Sequence, residues 1–260
     1  MKKPLILVTN DDGITAPGLR TLISLMKTLG EVVVVAPDSP QSGMGHAITI
    51  DNTLYSKKVT IDHENGAPSE YSCSGTPADC VKLGLQELLD RRPDLVVSGI
   101  NHGSNSSINV IYSGTMSAAI EAGIEGIPAI GFSLCDYSWA ADFKGASEAV
   151  KTITSEALKH GMPLGTVLNV NIPKTDGKPP KGIKICRQAR ANWKEKFDKR
   201  TSPTGKEYYW LTGEFELLDH GEDTDVHALN NGYISVVPTQ FDLTAHQALA
   251  QLNSWNLNAS

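Results

Sequence analysis

The stretch that decides the fold is Leu5-Ile6-Leu7-Val8-Thr9-Asn10-Asp11-Asp12-Gly13, near the start of a 260-residue chain. Its first five residues are apolar or β-branched without alternation, the pattern of a strand buried on both faces. It stops at an amide, two carboxylates and a glycine, all turn formers. Working outward, Pro17 opens a helical pattern carrying Leu22, Ile23, Leu25, Met26 and Leu29, which Gly30 closes. Proline suits a first helical turn and glycine the end of a helix. A second apolar strand, Val32–Ala36, follows. Ile48–Ile50, Leu54–Thr60 and Tyr71–Ser74 read as less buried strands of an antiparallel extension. Thr76 caps a helix with Pro77 at its first position and an apolar stripe of Val81, Leu85, Leu88 and Leu89. Leu95–Ser98 is another apolar strand, Ser113 to about Ile124 another helix, and Pro128–Ser133 leads into a further strand. Buried strands alternating with amphipathic helices predict a mostly parallel sheet covered on both faces, an α/β fold with right-handed crossovers.

Beyond about residue 137 the pattern loosens. A helix is expected near Ala140–His160, a strand over Val167–Ile172, a hairpin around Tyr208–Leu217, a strand over Tyr233–Val237 and a terminal helix from about Thr244. Composition narrows the class further. The chain carries 23 Lys and Arg against 29 Asp and Glu, a net charge of −6, which speaks against a wholly basic nucleic-acid binder. No apolar run approaches the roughly 18 residues of a membrane helix. The lysines at positions 2 and 3 and the run from Leu5 imitate a secretory leader, but the run breaks at Asn10. Cys73, Cys80, Cys135 and Cys186 have neither CxxC nor zinc spacing and read as reduced thiols, so a cytoplasmic protein is expected.

In an open parallel sheet ligands bind outside the carboxyl ends of the strands, so the residues following each strand matter most. Those are Asn10-Asp11-Asp12-Gly13, Asp38-Ser39-Pro40-Gln41-Ser42-Gly43, Gly99-Ile100-Asn101-His102-Gly103-Ser104-Asn105 and, just before a helix, Tyr112-Ser113-Gly114-Thr115. Each segment alone reads equally as a turn. Together they place adjacent carboxylates beside hydroxyl and amide oxygens, a hard donor set suited to Mg²⁺, Mn²⁺ or Ca²⁺. Ser113-Gly114-Thr115 at a helix start is either a phosphate cradle or a plain N-cap. Walker A and strand-following GxGxxG motifs are missing, so a hard metal beside a phosphate cradle points to phosphoester hydrolysis. Asp242 and His246, four apart, suit a proton-transfer pair or an ordinary surface pair on a helix. His46 and His102 lie in site loops and receive no catalytic role.

The motifs Ile6–Gly18 (ILVTNDDGITAPG), Val33–Gly45 (VVVAPDSPQSGMG), Gly75–Val81 (GTPADCV), Pro93–Gly103 (PDLVVSGINHG), Val110–Ala119 (VIYSGTMSAA), Gly126–Pro128 and Thr239–His246 (TQFDLTAH) resemble, in order, those of the SurE family of survival protein E nucleotidases. The resemblance implies a three-layer Rossmann-like, mostly parallel sheet with a smaller C-terminal β-rich extension used for oligomerisation. On that reading residues 1–136 hold the metal- and phosphate-binding core, and residues 137–260 complete it and add a hairpin and dimerisation extension. The resemblance implies one divalent cation, Mg²⁺ or Mn²⁺, held by Asp11, Asp12, Ser42 and Asn101. It gives phosphate to Asn105, Ser113, Gly114 and Thr115 and proton transfer to the pair Asp242 and His246; in the expected mechanism Asp12, or His246 through Asp242, manages protons. Implied substrates are nucleoside 5′- and 3′-monophosphates and polyphosphate, and the implied assembly is a swapped dimer or tetramer, with no membrane and no nucleic-acid partner. The family loop runs Asn-x-Gly-x-Asn-x-Gly; here its last glycine is Ser107, which bears on the loop's backbone and not on its amide ligands.

Direct attack of a cation-assisted water on phosphorus is the expected chemistry, with an aspartyl-phosphate at Asp11 as the rival. A nucleotide-sensing module and a metal-dependent glycosyltransferase are the alternatives from other classes. One further feature concerns charge. Lys174–Lys206 holds eleven Lys and Arg against Asp176, Glu195 and Asp198, with Trp193 and Phe197 interleaved. It reads as a solvated arm or as a basic lip that draws anionic substrates to the metal edge.

Overall fold

A computed structural model describes residues 2–62, 66–138, 140–174 and 179–257. Its centre is a nine-stranded sheet of β1 (Leu5–Thr9), β2 (Glu31–Pro37), β3 (Ser56–Val59), β4 (Ser69–Cys73), β5 (Leu95–His102), β6 (Ala129–Cys135), β7 (Thr166–Pro173), β8 (Ile183–Ile185) and β11 (Ile234–Gln240). The strand order is β3-β4-β2-β1-β5-β6-β7-β11-β8. From β4 to β7 every pairing is parallel, whereas β3 runs against β4 and β11 against β7.

The opening strand shows why three layers form. Ile6 and Val8 join the core beneath α1 (Pro17–Met26) and α4 (Ser147–His160), while Leu7 joins the opposite core beneath α2 (Pro77–Leu83) and α3 (Gly114–Ile124). Both faces are therefore apolar, as the missing alternation predicts. α2 begins as expected. Thr76 accepts from the Asp79 N–H, and the Asp79 carboxylate accepts from the Thr76 N–H, a reciprocal capping box.

Several expectations are corrected. Ile48–Ile50 is not a strand, because the Asp79 carboxylate takes both the N–H and the hydroxyl of Thr49 at 3.0 and 2.7 Å, leaving that backbone no ladder partner. The Leu54–Thr60 strand is confined to β3. The helix expected from Ala140 begins at Ser147, preceded by a 3₁₀ turn at Phe143–Ala146 whose Asp142 cap accepts from the Lys144 N–H. β8 is an addition to the expected strands. The hairpin is also longer: β9 (Ala191–Thr201) pairs antiparallel with β10 (Glu207–Leu217), so its first arm falls in the basic segment. Of that segment, residues 175–178, including Asp176 and Lys178, lie outside the described residues. A short α5 (Asp225–Asn230) precedes β11, and α6 (His246–Asn253) follows it with no buried residue.

Candidate active site

Because β1, β2, β5 and β6 are parallel neighbours, the polar segments that follow them share one sheet edge. Asp11 is buried, 4% exposed, and its carboxylate accepts from the Thr115 hydroxyl at 2.6 Å. Burial and the neighbouring Asp12 charge push its carboxyl up to about 6. Burial also raises Asp12, opposed by a 3.2 Å hydrogen bond from the His102 N–H. Among the described residues, neither carboxylate is ion-paired to a Lys or Arg. Gln41 donates its N–H to the Asp11 carbonyl at 2.7 Å, and Gly45 donates to the Tyr112 carbonyl at 3.2 Å. These two bonds lay the exposed Ser42 loop across the same edge.

Asn101 ends β5 after a register shift between Ser98 and Asn101 against β6. Such irregularities re-aim side chains beside functional sites. The Asn101 amide donates to the Gly103 carbonyl at 2.8 Å, which leaves its carboxamide oxygen available as a ligand. Asn105 is locked from several sides. Its N–H donates to the Asn171 side chain at 2.8 Å, its amide donates to the Ser133 hydroxyl at 2.9 Å, and its carbonyl accepts from the Asn169 amide at 2.9 Å. The Asn171 amide in turn donates to Asn169 at 2.8 Å.

Ser107 has φ +55°, so it adopts the left-handed backbone that the family's glycine would adopt. Three bonds hold it and its neighbours. The Ser107 N–H donates to Asp225 at 2.7 Å, the Ser107 hydroxyl donates to the Ala189 carbonyl at 2.8 Å, and the Ala189 N–H donates to Asp225 at 2.9 Å. The serine thus takes a backbone that favours glycine and adds a side-chain anchor.

At the start of α3, Ser113 is the N-cap and accepts from the Met116 N–H at 3.0 Å. The Thr115 hydroxyl is given to Asp11, whereas the Ser113 hydroxyl, which accepts from Met116, keeps its own O–H to donate. Gly114 is required sterically, since a Cβ there would lie 2.7 Å from Asp11 Cβ. The helix start thus sits directly on the buried carboxylate. His46 is hydrogen-bonded to buried Glu121 at 2.8 Å, which also holds Lys82 at 2.6 Å. His102 is hydrogen-bonded to the Ser138 carbonyl and stacks edge-on to Phe143 at 5.9 Å.

Asp242 and His246 do form a pair, 2.7 Å apart and both exposed. Bonds from the Thr244 side chain and N–H, then from His246, hold Asp242 down at about 2. However, β11 runs antiparallel to β7, with Gln240 opposite Thr166. The pair that follows β11 therefore stands at the sheet edge opposite Asp11 and Asp12 within one chain. The residues missed from the sequence are the supports Ser133, Asn169, Asn171 and Asp225. Asn169 and Asn171 carried a signal, being two amides inside an otherwise apolar strand.

The family model for survival protein SurE matches residues 6–195. The chain is 70% identical over 257 residues to the 5′-nucleotidase SurE of Christiangramia forsetii, covering 99% of this chain and 98% of the relative. It is 67% identical over 258 residues to the 5′-nucleotidase SurE of Flavobacterium psychrophilum, covering 99% and 100%. The chain belongs to the SurE family. Its structure also superposes on the crystal structure of the SurE protein from Aquifex aeolicus with a TM-score of 0.82 at 40% identity, covering 96% of this chain and 98% of that one. The SurE match begins within β1 and ends within β9, so it takes in the whole Asp11 edge, whereas the Asp242 and His246 pair lies beyond it.

The donor set fits a hard cation. Among the described residues no three His, Cys, Asp or Glu side chains gather, so the set is two carboxylates completed by neutral oxygens. The side-chain oxygens of Thr9 and Asn10, next to Asp11, are buried without a hydrogen-bond partner. Adjacent anionic oxygens that, among the described residues, no Lys or Arg offsets are what a divalent ion would compensate. Among the described residues, no helix is long and apolar enough to cross a membrane.

Proposed function

We propose that this SurE protein hydrolyses nucleoside 5′-monophosphates to nucleoside and phosphate in a reaction that depends on one divalent cation, Mg²⁺ or Mn²⁺. The observation that carries this reading is the pair Asp11 and Asp12 at one sheet edge, bonded into the start of α3 and into the Asn101–Asn105 loop. Asp11, Asp12, Ser42 and Asn101 would hold the ion. When bound, a divalent ion supplies Lewis-acid polarisation of a phosphoryl oxygen and acidifies water.

The chain's own residues supply the rest. The phosphate takes the Ser113 O–H, the Gly114 N–H at the start of α3 and the remaining amide proton of Asn105, aided by the helix dipole. The amide lattice of Asn169 and Asn171 keeps Asn105 from relaxing, so its donor is aimed before substrate arrives. Asp12, less buried than Asp11, takes a proton from the attacking water. Direct attack is preferred over an aspartyl-phosphate because a carboxylate engaged as a ligand and by Thr115 is a weak nucleophile.

Asp242 and His246 act on a second copy of the chain in this reading, since they stand at the wrong edge of their own sheet. The C-terminal extension supports exchange between subunits. α6 buries nothing, Leu243 is 94% exposed, and Phe197 and Trp210 stand exposed on the hairpin. Residues 1–136 then carry the site, residues 137–260 complete the sheet and make the assembly, and the free thiols suit a cytoplasmic enzyme.

Phosphate release from a panel of nucleoside 5′- and 3′-monophosphates and polyphosphate, with Mg²⁺ or Mn²⁺, tests the activity and sets its breadth. Metal-linked nucleotide binding without release would favour a sensing module. Turnover of sugar nucleotides with intact monophosphates would favour a glycosyltransferase. A single turnover in labelled water separates the two hydrolytic routes, because label in a carboxylate would refute direct attack.

A further inference from the structure

A cleft of about 380 Å³ opens beside the candidate site, lined by Gly43, Tyr112, Trp193, Glu195, Leu211 and Thr212. That volume is within the range of about 300–1,000 Å³ usual for small-molecule sites. Its position is its first distinguishing feature. Gly43 follows Ser42 and Tyr112 precedes Ser113, so the cleft begins one residue away from a candidate metal ligand and from the candidate phosphate turn. A Cβ built on Gly43 would meet nothing within 4 Å, so the space at Gly43 is open.

Its walls are the second feature. Trp193 is fixed rather than loose: its indole N–H donates to Asn109 at 2.9 Å, and its ring packs edge-on against Phe215 at 5.6 Å. Tyr112 faces the cleft from the site loop and is 52% exposed. Across the hairpin, Glu195 is paired with Gly213, where no side chain crowds its carboxylate. Rigid aromatic faces with one hydrogen-bond acceptor are what a nucleoside needs: π surface for the base and a carboxylate for a ribose hydroxyl.

We propose that this cleft is the nucleoside subsite, in which Tyr112 and Trp193 hold the base and Glu195 accepts a hydrogen bond from a ribose hydroxyl. The proposal rests on the nucleotidase reading given above and adds the residues that recognise the half of the substrate away from the phosphate. A neighbouring cavity of about 360 Å³, lined by Ser104, Ser106, Tyr137, Trp193 and Phe215, is the competing location. Most of its polar wall is engaged, because the Ser104 and Ser106 hydroxyls bond each other at 2.8 Å and Asn109 accepts from Trp193, and no carboxylate lines it.

The test compares kcat/KM for adenosine 5′-monophosphate with that for ribose 5-phosphate, which lacks the base, in the full-length protein. In Tyr112→Leu and Trp193→Leu the ratio of the two is expected to fall about tenfold, in the lower part of the range for base–aromatic stacking. Glu195→Gln is expected to lower the preference for adenosine monophosphate over its 2′,3′-dideoxy analogue. Equal losses on both esters, or a ratio that falls in Tyr137→Leu and not in Tyr112→Leu, would overturn the assignment. If the wild type cleaves neither ester, the hydrolytic reading fails by itself, and calorimetry with adenosine alone still decides the subsite. Saturable binding weakened about tenfold in Tyr112→Leu would uphold it, and no binding to the wild type would overturn it.

Discussion

The Asn101–Thr115 segment and the β9–β10 hairpin are both rich in polar side chains, yet they are held in opposite ways. Around Asn105 and Ser107 the polar groups are buried and bonded to supports on β6, β7 and α5. The hairpin is exposed along nearly its whole length, with Trp210 at 59% and Phe197 at 63%. An isolated two-stranded hairpin is marginal in water. The first region is therefore complete within one chain, whereas the second leaves most of its side chains in solvent. That contrast can be broken at several points.

The largest effect belongs to the buried carboxylate. Asp11→Asn should reduce phosphate release by more than about a hundredfold, beyond the 10–100-fold typical of second-shell partners of a metal. Its melting temperature without metal should hold or rise, because the wild type buries an anion beside Asp12 at a desolvation cost. Activity assays and thermal melts on the same preparation check both halves. Retained activity would remove Asp11 from the site, and a collapsed melting temperature would make the residue structural.

Next is the support under the loop. Asp225 accepts from three backbone N–H groups, of Ser107, Ala189 and Val226, at 2.7–2.9 Å in a fully buried position. Asp225→Asn turns one acceptor oxygen into a donor facing a donor, and should cost about 2–4 kcal/mol in a denaturant titration. Ser107→Gly should stay within about 1 kcal/mol, since relief of the left-handed strain offsets the lost hydroxyl bond. Ser107→Val should be clearly worse, because a β-branched residue does not tolerate φ +55°.

These residues also show where the sequence speaks and where it is silent. β1, β2 and β5 are legible because burial on both faces writes a continuous apolar run. The site edge is legible because every parallel strand must stop at polar residues there. Asp225 is illegible, since its value comes from backbone donors at Ser107 and Ala189 that only the tertiary fold brings to it. β9 is illegible for the converse reason: an arm with no buried face has no apolar periodicity to announce it. The antiparallel turn of β11, which sends Asp242 and His246 to the far edge, is likewise a matter of topology that local pattern does not encode.

A smaller effect follows from the capping box of α2. Burial would raise the Asp79 carboxyl, but the Thr49 hydroxyl and N–H and the Thr76 N–H and hydroxyl outweigh it and hold it below the ordinary range. A carboxyl whose folded value is depressed stabilises fully above its unfolded pKa, about 3.9, and loses that contribution as pH falls through the folded value. Asp79→Ala should cost about 2 kcal/mol at neutral pH, from a lost cap and two further bonds, and the gap to wild type should shrink under acid. Chemical denaturation at pH 7 and below pH 3 would show it; a pH-independent gap would mean that packing, not charge, is what Asp79 supplies.

The smallest effect tests the hairpin's charge. In sequence, Lys174–Lys206 looks strongly basic, but strand pairing brings the acids of β10 onto the cations of β9. Lys194 meets Glu216 at 2.5 Å and Lys199 meets Glu207 at 2.6 Å, while Arg200 meets Asp198 of its own strand at 2.7 Å. Over 191–217 the cations Lys194, Lys196, Lys199, Arg200 and Lys206 are matched by Glu195, Asp198, Glu207, Glu214 and Glu216, so the hairpin is neutral. A neutral arm cannot steer a polyanion from beyond the Debye length of roughly 10 Å at 0.1 M salt. The kcat/KM for a nucleoside monophosphate should therefore change less than about twofold between roughly 0.05 and 0.3 M salt at fixed free metal, where a basic lip would make it fall several-fold. A steep fall would return the steering role to Lys181, Lys184 and Arg190, the cations before the hairpin that no β10 acid faces.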